Sequence, residues 1–90
     1  MGKEITLFET EEKKDIQEVA AFLRQLADKL ATGEVTLKQG SEEFTLTVPQ
    51  MVTLEVKVEE EDKKNKTQIG FEIELEWIKG AQPESGISLG

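Results

Sequence analysis

Apolar and polar residues alternate strictly near the end of the chain, in the stretch TQIGFEIELEWI at residues 67–78. Every second residue from Ile69 to Trp77 is apolar, and the positions between them hold glutamate or glycine. A two-residue period places successive side chains on opposite faces of a sheet. The pattern therefore predicts a strand with one apolar face, which we expect to line the core, and one wet face.

Four earlier segments also have strand patterns and are bounded by turn residues. They are residues 3–10, 34–39, 42–48 and 51–60. The sequence QGSE at residues 39–42 predicts a two-residue hairpin with Gly40 first, the type II′ preference. That turn would place Leu37 opposite Phe44, and a turn at residues 63–66 would place Val58 opposite Phe71. Apolar residues then face apolar residues in both hairpins.

A helical pattern separates the first predicted strand from the others. Asp15 and Glu18 have the spacing of a capping box, which predicts that a helix begins there. Apolar residues then recur at intervals of three and four, and Gly33 can adopt the left-handed conformation that ends a helix. The apolar stripe contains Ile16, Val19, Ala20, Leu23, Leu26, Ala27 and Leu30. We expect this stripe to pack against the sheet.

Together these elements predict an α+β fold, with one helix packed on one face of a mostly antiparallel five-stranded sheet in the chain order β-α-β-β-β-β. A connection at residues 49–51 would join the third and fourth strands and place Phe44 opposite Val56. We place the first strand beside the last one; the alternative is a parallel pairing with residues 34–39. Residues 1–79 would form a single domain, and residues 80–90 a disordered C-terminal tail.

The strand pairings predicted above lead to two further expectations about the sheet. On its polar face, one row across four strands would hold charges of alternating sign at Lys38, Glu43, Lys57 and Glu72, whereas Glu55 beside Glu74 would be a like-charge pair. On its apolar face, Trp77 would be a core residue.

Composition narrows the class of partner. The 90 residues carry a formal net charge of −8 with a pI near 4.5, which argues against nucleic acid and against a membrane surface as partners. No apolar run approaches the length of a spanning helix, and the N-terminus has no signal-peptide pattern. The absence of cysteine fits a reducing compartment, so we expect a cytoplasmic protein.

The sequence contains few residues of the types that act in catalysis or bind metals. It contains no histidine, cysteine or tyrosine, and the acidic run at residues 59–62 lacks the spacing of a calcium loop. We therefore predict no catalytic, cofactor-binding or metal-binding residues, no cofactor and no enzymatic activity.

Three stretches of the chain carry a resemblance to a known family. FLRQLADKLATGEVTL at the end of the helix, LTVPQMVTLEV and the closing strand FEIELEW resemble the amphi-Trp domain family, over roughly Ile5 to Trp77. That family takes its name from an amphipathic final strand that ends in tryptophan, matched here by Phe71, Ile73, Leu75 and Trp77. The resemblance implies a small bacterial or archaeal protein and supplies no catalytic or ligand-binding residue.

Two classes of function are compatible with these observations. The first is a protein-interaction or structural module that uses a sheet edge or the polar sheet face, either with a protein partner or by self-association. The chain would then be a monomer or a weak homodimer. The second is a small-ligand carrier that binds between helix and sheet. We expect the first class, and we expect the sheet edge to be formed by residues 34–39 or by residues 3–10. An enzyme is the function that we expect least.

Overall fold

The computed structural model describes residues 2–80. Their secondary structure is one helix, α1 (Ile16–Thr32), and four strands, β1 (Glu34–Gln39), β2 (Glu42–Thr47), β3 (Thr53–Lys63) and β4 (Lys66–Glu76). The chain divides into two compact units, Met1–Val48 and Pro49–Gly90. The predicted α+β class is confirmed, whereas the predicted tail at residues 80–90 lies, apart from Gly80, outside the described residues.

Helix α1 begins and ends where the sequence predicts. The Asp15 side chain accepts a hydrogen bond from the Gln17 N–H at 2.9 Å, and the Asp15 N–H donates to Glu18 Oε1 at 3.4 Å. These bonds belong to the capping box. At the other end, Gly33 has a φ of 86°, and its N–H donates to the Leu30 carbonyl at 3.0 Å. Within residues 2–80, no helix has the length and apolar character needed to cross a membrane.

The cap gives a first testable prediction. Asp15→Ala should lower the free energy of unfolding by about 1 kcal/mol, because the backbone N–H groups of the first turn lose their side-chain acceptor. Asp15→Asn retains an acceptor oxygen and should unfold close to wild type. Urea titration followed by helical circular dichroism measures both variants, and an equal loss in the two would contradict the capping role.

Hairpin β1–β2 forms in the predicted register. Gly40 has a φ of 60°, and no other residue of this turn has a positive φ, as a type II′ turn requires. Leu37 lies opposite Phe44, and Val35 lies opposite Leu46.

The core of this unit lies where α1 contacts β1. Val35 is 4% exposed and is the one buried apolar side chain among residues 2–80. Half-buried side chains around the helix and hairpin are Val19, Leu26, Leu30, Leu37, Phe44 and Leu46. Ile16 and Leu23 of the predicted stripe stay exposed, as does Phe22 beside it, so the stripe is covered only in part.

Hairpin β3–β4 is a regular ladder of eleven pairs, from Thr53 opposite Glu76 to Lys63 opposite Lys66. The predicted pairing of Val58 with Phe71 is confirmed. Strand β3 also extends three residues beyond its predicted end, so the ladder reaches the turn directly.

The predicted five-stranded sheet is wrong, as is its strand order. The strands of residues 2–80 form two separate two-stranded sheets, β1–β2 and β3–β4. β2 ends at Thr47, and residues 48–52 are not in a strand. The connection from β2 to β3 is therefore five residues long, not the three-residue turn that was predicted, so no tight turn fixes β3 beside β2. The predicted pairing of Phe44 with Val56 is therefore not formed.

Residues 3–10, predicted as the first strand, are not in a strand either. Their apolar residues fall on both sides of an extended chain, so no one-sided apolar row exists to fix a register. Ile5 and Leu7 are exposed, and only Phe8 is half-buried.

Candidate functional site

One face of the β3–β4 hairpin is apolar and exposed to solvent. Cross-strand partners lie on the same face of an antiparallel sheet, and three successive pairs on this face are wholly apolar. We call this surface the hairpin face; its exposed members are Leu54, Val56, Val58, Ile69, Phe71 and Ile73. These six side chains are between 56% and 69% exposed.

The size of the hairpin face distinguishes it from ordinary surface. At about 100 Å² for each large apolar side chain, its six members present on the order of 600 Å² to water. Monomeric proteins rarely expose a continuous apolar patch larger than this, and patches of this size are often functional. The hairpin face is therefore the strongest candidate for a binding surface among the described residues.

Trp77 follows β4 at one end of the hairpin face. The structure corrects the expectation that Trp77 is a core residue, because its side chain is only half-buried. With Thr53, Leu75, Glu76 and Ile78 it lines a surface groove of about 550 Å³ at the open end of the hairpin. A half-buried tryptophan beside a groove suits a binding surface as well as it suits a core.

The opposite face of the hairpin is polar and charged. Lys57 Nζ lies 3.9 Å from Glu72 Oε1 and 3.7 Å from Glu59 Oε2. In the other hairpin, Lys38 Nζ lies 3.6 Å from Glu43 Oε2. Both within-hairpin pairs of the predicted charge row are confirmed, but the row does not continue from Glu43 to Lys57 because β2 and β3 do not pair.

The predicted like-charge pair is also present, since Glu74 lies opposite Glu55. Hydrogen bonding with the Glu55 side chain raises the pKa of Glu74 above its usual 4.5, and the charge of Glu76 raises it further. The folded hairpin thus holds this proton more tightly than the unfolded chain. Protonation of Glu74 therefore stabilises the folded hairpin at low pH. This contribution to stability is lost as pH rises through the raised pKa of Glu74.

Glu74→Gln is expected to stabilise the hairpin at neutral pH, because glutamine removes the repulsion from Glu55. The gain over wild type should shrink as pH falls toward 4.5, since Glu74 then binds a proton in the folded wild-type chain. Urea unfolding across this pH range measures the difference. Glu4→Gln makes the same change in net charge within residues 3–10, and an equal pH dependence in both variants would contradict a local effect.

A second groove, of about 440 Å³, lies beside β1. Its lining comes from three parts of the same unit: Phe8, Glu9 and Thr10, then Phe22 of α1, then Thr36, Leu37 and Lys38 of β1. Residues 8–10 therefore lie near β1 but form no ladder with it.

Metal-binding clusters add nothing to these surfaces in the described part of the chain. Among residues 2–80, no cluster of three acidic side chains is arranged to hold a metal ion. The sequence predicted no site residues, and binding was expected at a sheet edge or on the polar sheet face. The hairpin face was not predicted as a binding surface, although the alternation at residues 67–78 is the signal for it, because that apolar side was expected to line the core.

The family model described as the Amphi-Trp domain matches residues 1–89, which is nearly the whole chain. The match includes β4 and the tryptophan that follows it. No curated protein and no solved structure matches the chain. The chain therefore belongs to the Amphi-Trp domain family, and the resemblance found in its helix and closing strand is confirmed.

Proposed function

We propose that this member of the Amphi-Trp domain family is a protein-interaction module that binds another polypeptide on its hairpin face. The observation that carries the proposal is the row of six exposed apolar side chains on one side of an eleven-pair ladder. Binding, and not catalysis, is the role of this surface. A cytoplasmic location is part of the proposal and is supported by the cysteine-free composition.

Two physical arguments support a covered hairpin face. A two-stranded hairpin is marginally stable in water without a layer packed on its apolar side. Covering on the order of 600 Å² of apolar surface is worth about 15 kcal/mol at 25 cal/mol/Å². Association costs roughly 4–15 kcal/mol, so the partner must cover most of the face and not one end of it.

The sheet edges contribute to the rim of the same surface. β3 and β4 each have one edge that pairs with no other strand of residues 2–80. Unpaired backbone N–H and C=O groups along such edges can bind an adjoining strand. We therefore place the edge-based interaction beside the hairpin face, with the apolar side chains providing most of the affinity.

Site-specific photo-crosslinking in cells tests this function. A benzophenone amino acid replaces Phe71 on the hairpin face in one variant and Gln68, on the polar face of the same strand, in the matched control. The proposal expects adducts to another polypeptide at position 71 and few at position 68. Equal yields at the two positions, or no adduct at position 71, would contradict it.

The groove beside β1 favours a second candidate function, a carrier of small ligands. Its volume of about 440 Å³ lies in the range of ligand sites, and Phe8, Phe22 and Leu37 give it an apolar lining. A set of small apolar metabolites should then raise the unfolding temperature of the protein. No rise with any member of the set would count against this candidate.

A further inference from the structure

We infer that the polypeptide covering the hairpin face is a second copy of this chain, packed face to face across a two-fold axis that runs across the strands. The inference rests on the proposed function and adds the identity and geometry of the partner. A two-fold contact uses the same patch on both copies, so the patch must be complementary to itself. Three features of the hairpin meet that requirement.

The first feature is the symmetry of the apolar row. The pair Lys57–Glu72 marks its centre, and the ladder has no irregularity on either side. Rotation about an axis through that centre places Phe71 over the partner's Ile73 and Val58 over the partner's Val56. Ile69 then lies over the partner's Leu75. Apolar side chains thus meet apolar side chains without any change of register.

The second feature is the pair of groups at the two ends of the row. The same rotation places Trp77 over the partner's Thr67. In each copy the Thr67 hydroxyl donates to Asp62 Oδ1 at 3.0 Å. The Asp62 carboxylate has acceptor capacity left, and the indole N–H of tryptophan is a donor that requires a partner when it becomes buried. In the dimer, the Asp62 carboxylate of one copy can therefore accept a hydrogen bond from the indole N–H of the partner's Trp77.

The third feature is the distribution of charge. On the hairpin most carboxylates lie on the polar face, which points away from the contact; they are Glu55, Glu59, Glu61, Glu72, Glu74 and Glu76. Packed sheets lie about 10 Å apart, so charges on the two outer faces are separated by more than the Debye length of about 8 Å at physiological salt. Repulsion between these carboxylates of the two copies is therefore largely screened.

The area fits a small dimer interface. Two copies would together bury on the order of 1,200 Å² of apolar surface, which is the lower limit for specific protein–protein interfaces. Two charged side chains lie on this face of the hairpin: Glu60, which pairs with Ile69, and Asp62, which pairs with Thr67 at the end of the row. In the dimer Glu60 lies over the partner's Leu54 at the rim, so its carboxylate limits the affinity.

Sedimentation equilibrium of the full chain provides the test. Wild type should change from monomer to dimer with rising concentration, and Phe71→Glu should weaken the dimer by about 100-fold, because two carboxylates enter the apolar contact. Gln68→Glu adds the same charge to the polar face of the same strand and should dimerise like wild type. Glu60→Val should tighten the dimer, which keeps the test decisive if Phe71→Glu fails to fold.

A distance between two spin labels tests the proposed two-fold axis. The chain has no cysteine, so Lys64→Cys in the β3–β4 turn carries a single spin label. The proposed axis places the two turns at opposite ends of the dimer, about 50 Å apart at 3.4 Å per residue. A distance below about 20 Å would mean a parallel arrangement and would overturn the axis.

Other results separate this inference from the function on which it rests. A wild-type chain that stays monomeric at every concentration would overturn the inference that the partner is a second copy. If position 71 then crosslinks to a different protein, the proposed function still holds, with that protein as the partner. If Phe71→Glu and Gln68→Glu weaken the dimer equally, the contact does not lie on the hairpin face. The face-to-face packing would also be overturned if only proline substitutions in an edge strand block the dimer.

Discussion

Val35→Asp should unfold the unit formed by α1 and the β1–β2 hairpin. Val35 is 4% exposed and lies where the helix contacts β1. A carboxylate at this position would lose its water without gaining a cationic partner, at a cost of several kcal/mol. That cost is comparable with the total stability of a small domain, about 5–15 kcal/mol. Loss of helical circular dichroism at room temperature is the expected result.

Thr36→Asp is the matched control for this substitution. It introduces the same charge one residue later, on the exposed face of β1, where the Thr36 hydroxyl lies 3.0 Å from that of Thr45. Loss of one exposed hydrogen bond should cost about 1 kcal/mol or less. If Val35→Asp keeps its helix signal, or if both variants unfold alike, the core does not lie at Val35.

Gly33→Val is expected to lower the free energy of unfolding by about 1–2 kcal/mol or more, because valine must adopt the left-handed φ of 86° that ends α1. Space is not the cause, since an added Cβ would lie 3.6 Å from the Val48 carbonyl oxygen, an ordinary contact. The Gly33 carbonyl also accepts from the Val48 N–H at 2.8 Å, which ties the end of the helix to the segment after β2.

Gly33→Asn tests the same position with a residue that tolerates the left-handed region. Its unfolding midpoint in urea should lie much closer to wild type than that of Gly33→Val. Similar midpoints for valine and asparagine would show that backbone conformation is not what Gly33 provides.

Local features of this chain could be predicted because neighbouring residues determine them. The Asp15 capping box and the turns at Gly33 and Gly40 each depend on residues a few positions apart. A turn of known length fixes the register of its hairpin, so the pairings of Leu37 with Phe44 and of Val58 with Phe71 followed from the sequence.

Non-local features could not be predicted in the same way. Alternation in residues 51–60 and 67–78 indicates that a hairpin has an apolar face but does not say what covers it. In the predicted five-stranded sheet, α1 would have covered this apolar face. The five-residue connection between β2 and β3 and the two-sided pattern of residues 3–10 provide no register for that sheet, and the hairpin face stays exposed in the described residues.

Oxidative footprinting with hydroxyl radicals tests the central claim most directly, because it compares two exposed phenylalanines in one chain. Phe71 lies on the hairpin face and Phe22 lies on α1, and both are more than half exposed. We predict that Phe71 is oxidised in dilute purified protein but protected inside the cell, while Phe22 is oxidised in both. Equal oxidation of Phe71 in the two conditions would contradict the claim that another polypeptide covers the hairpin face.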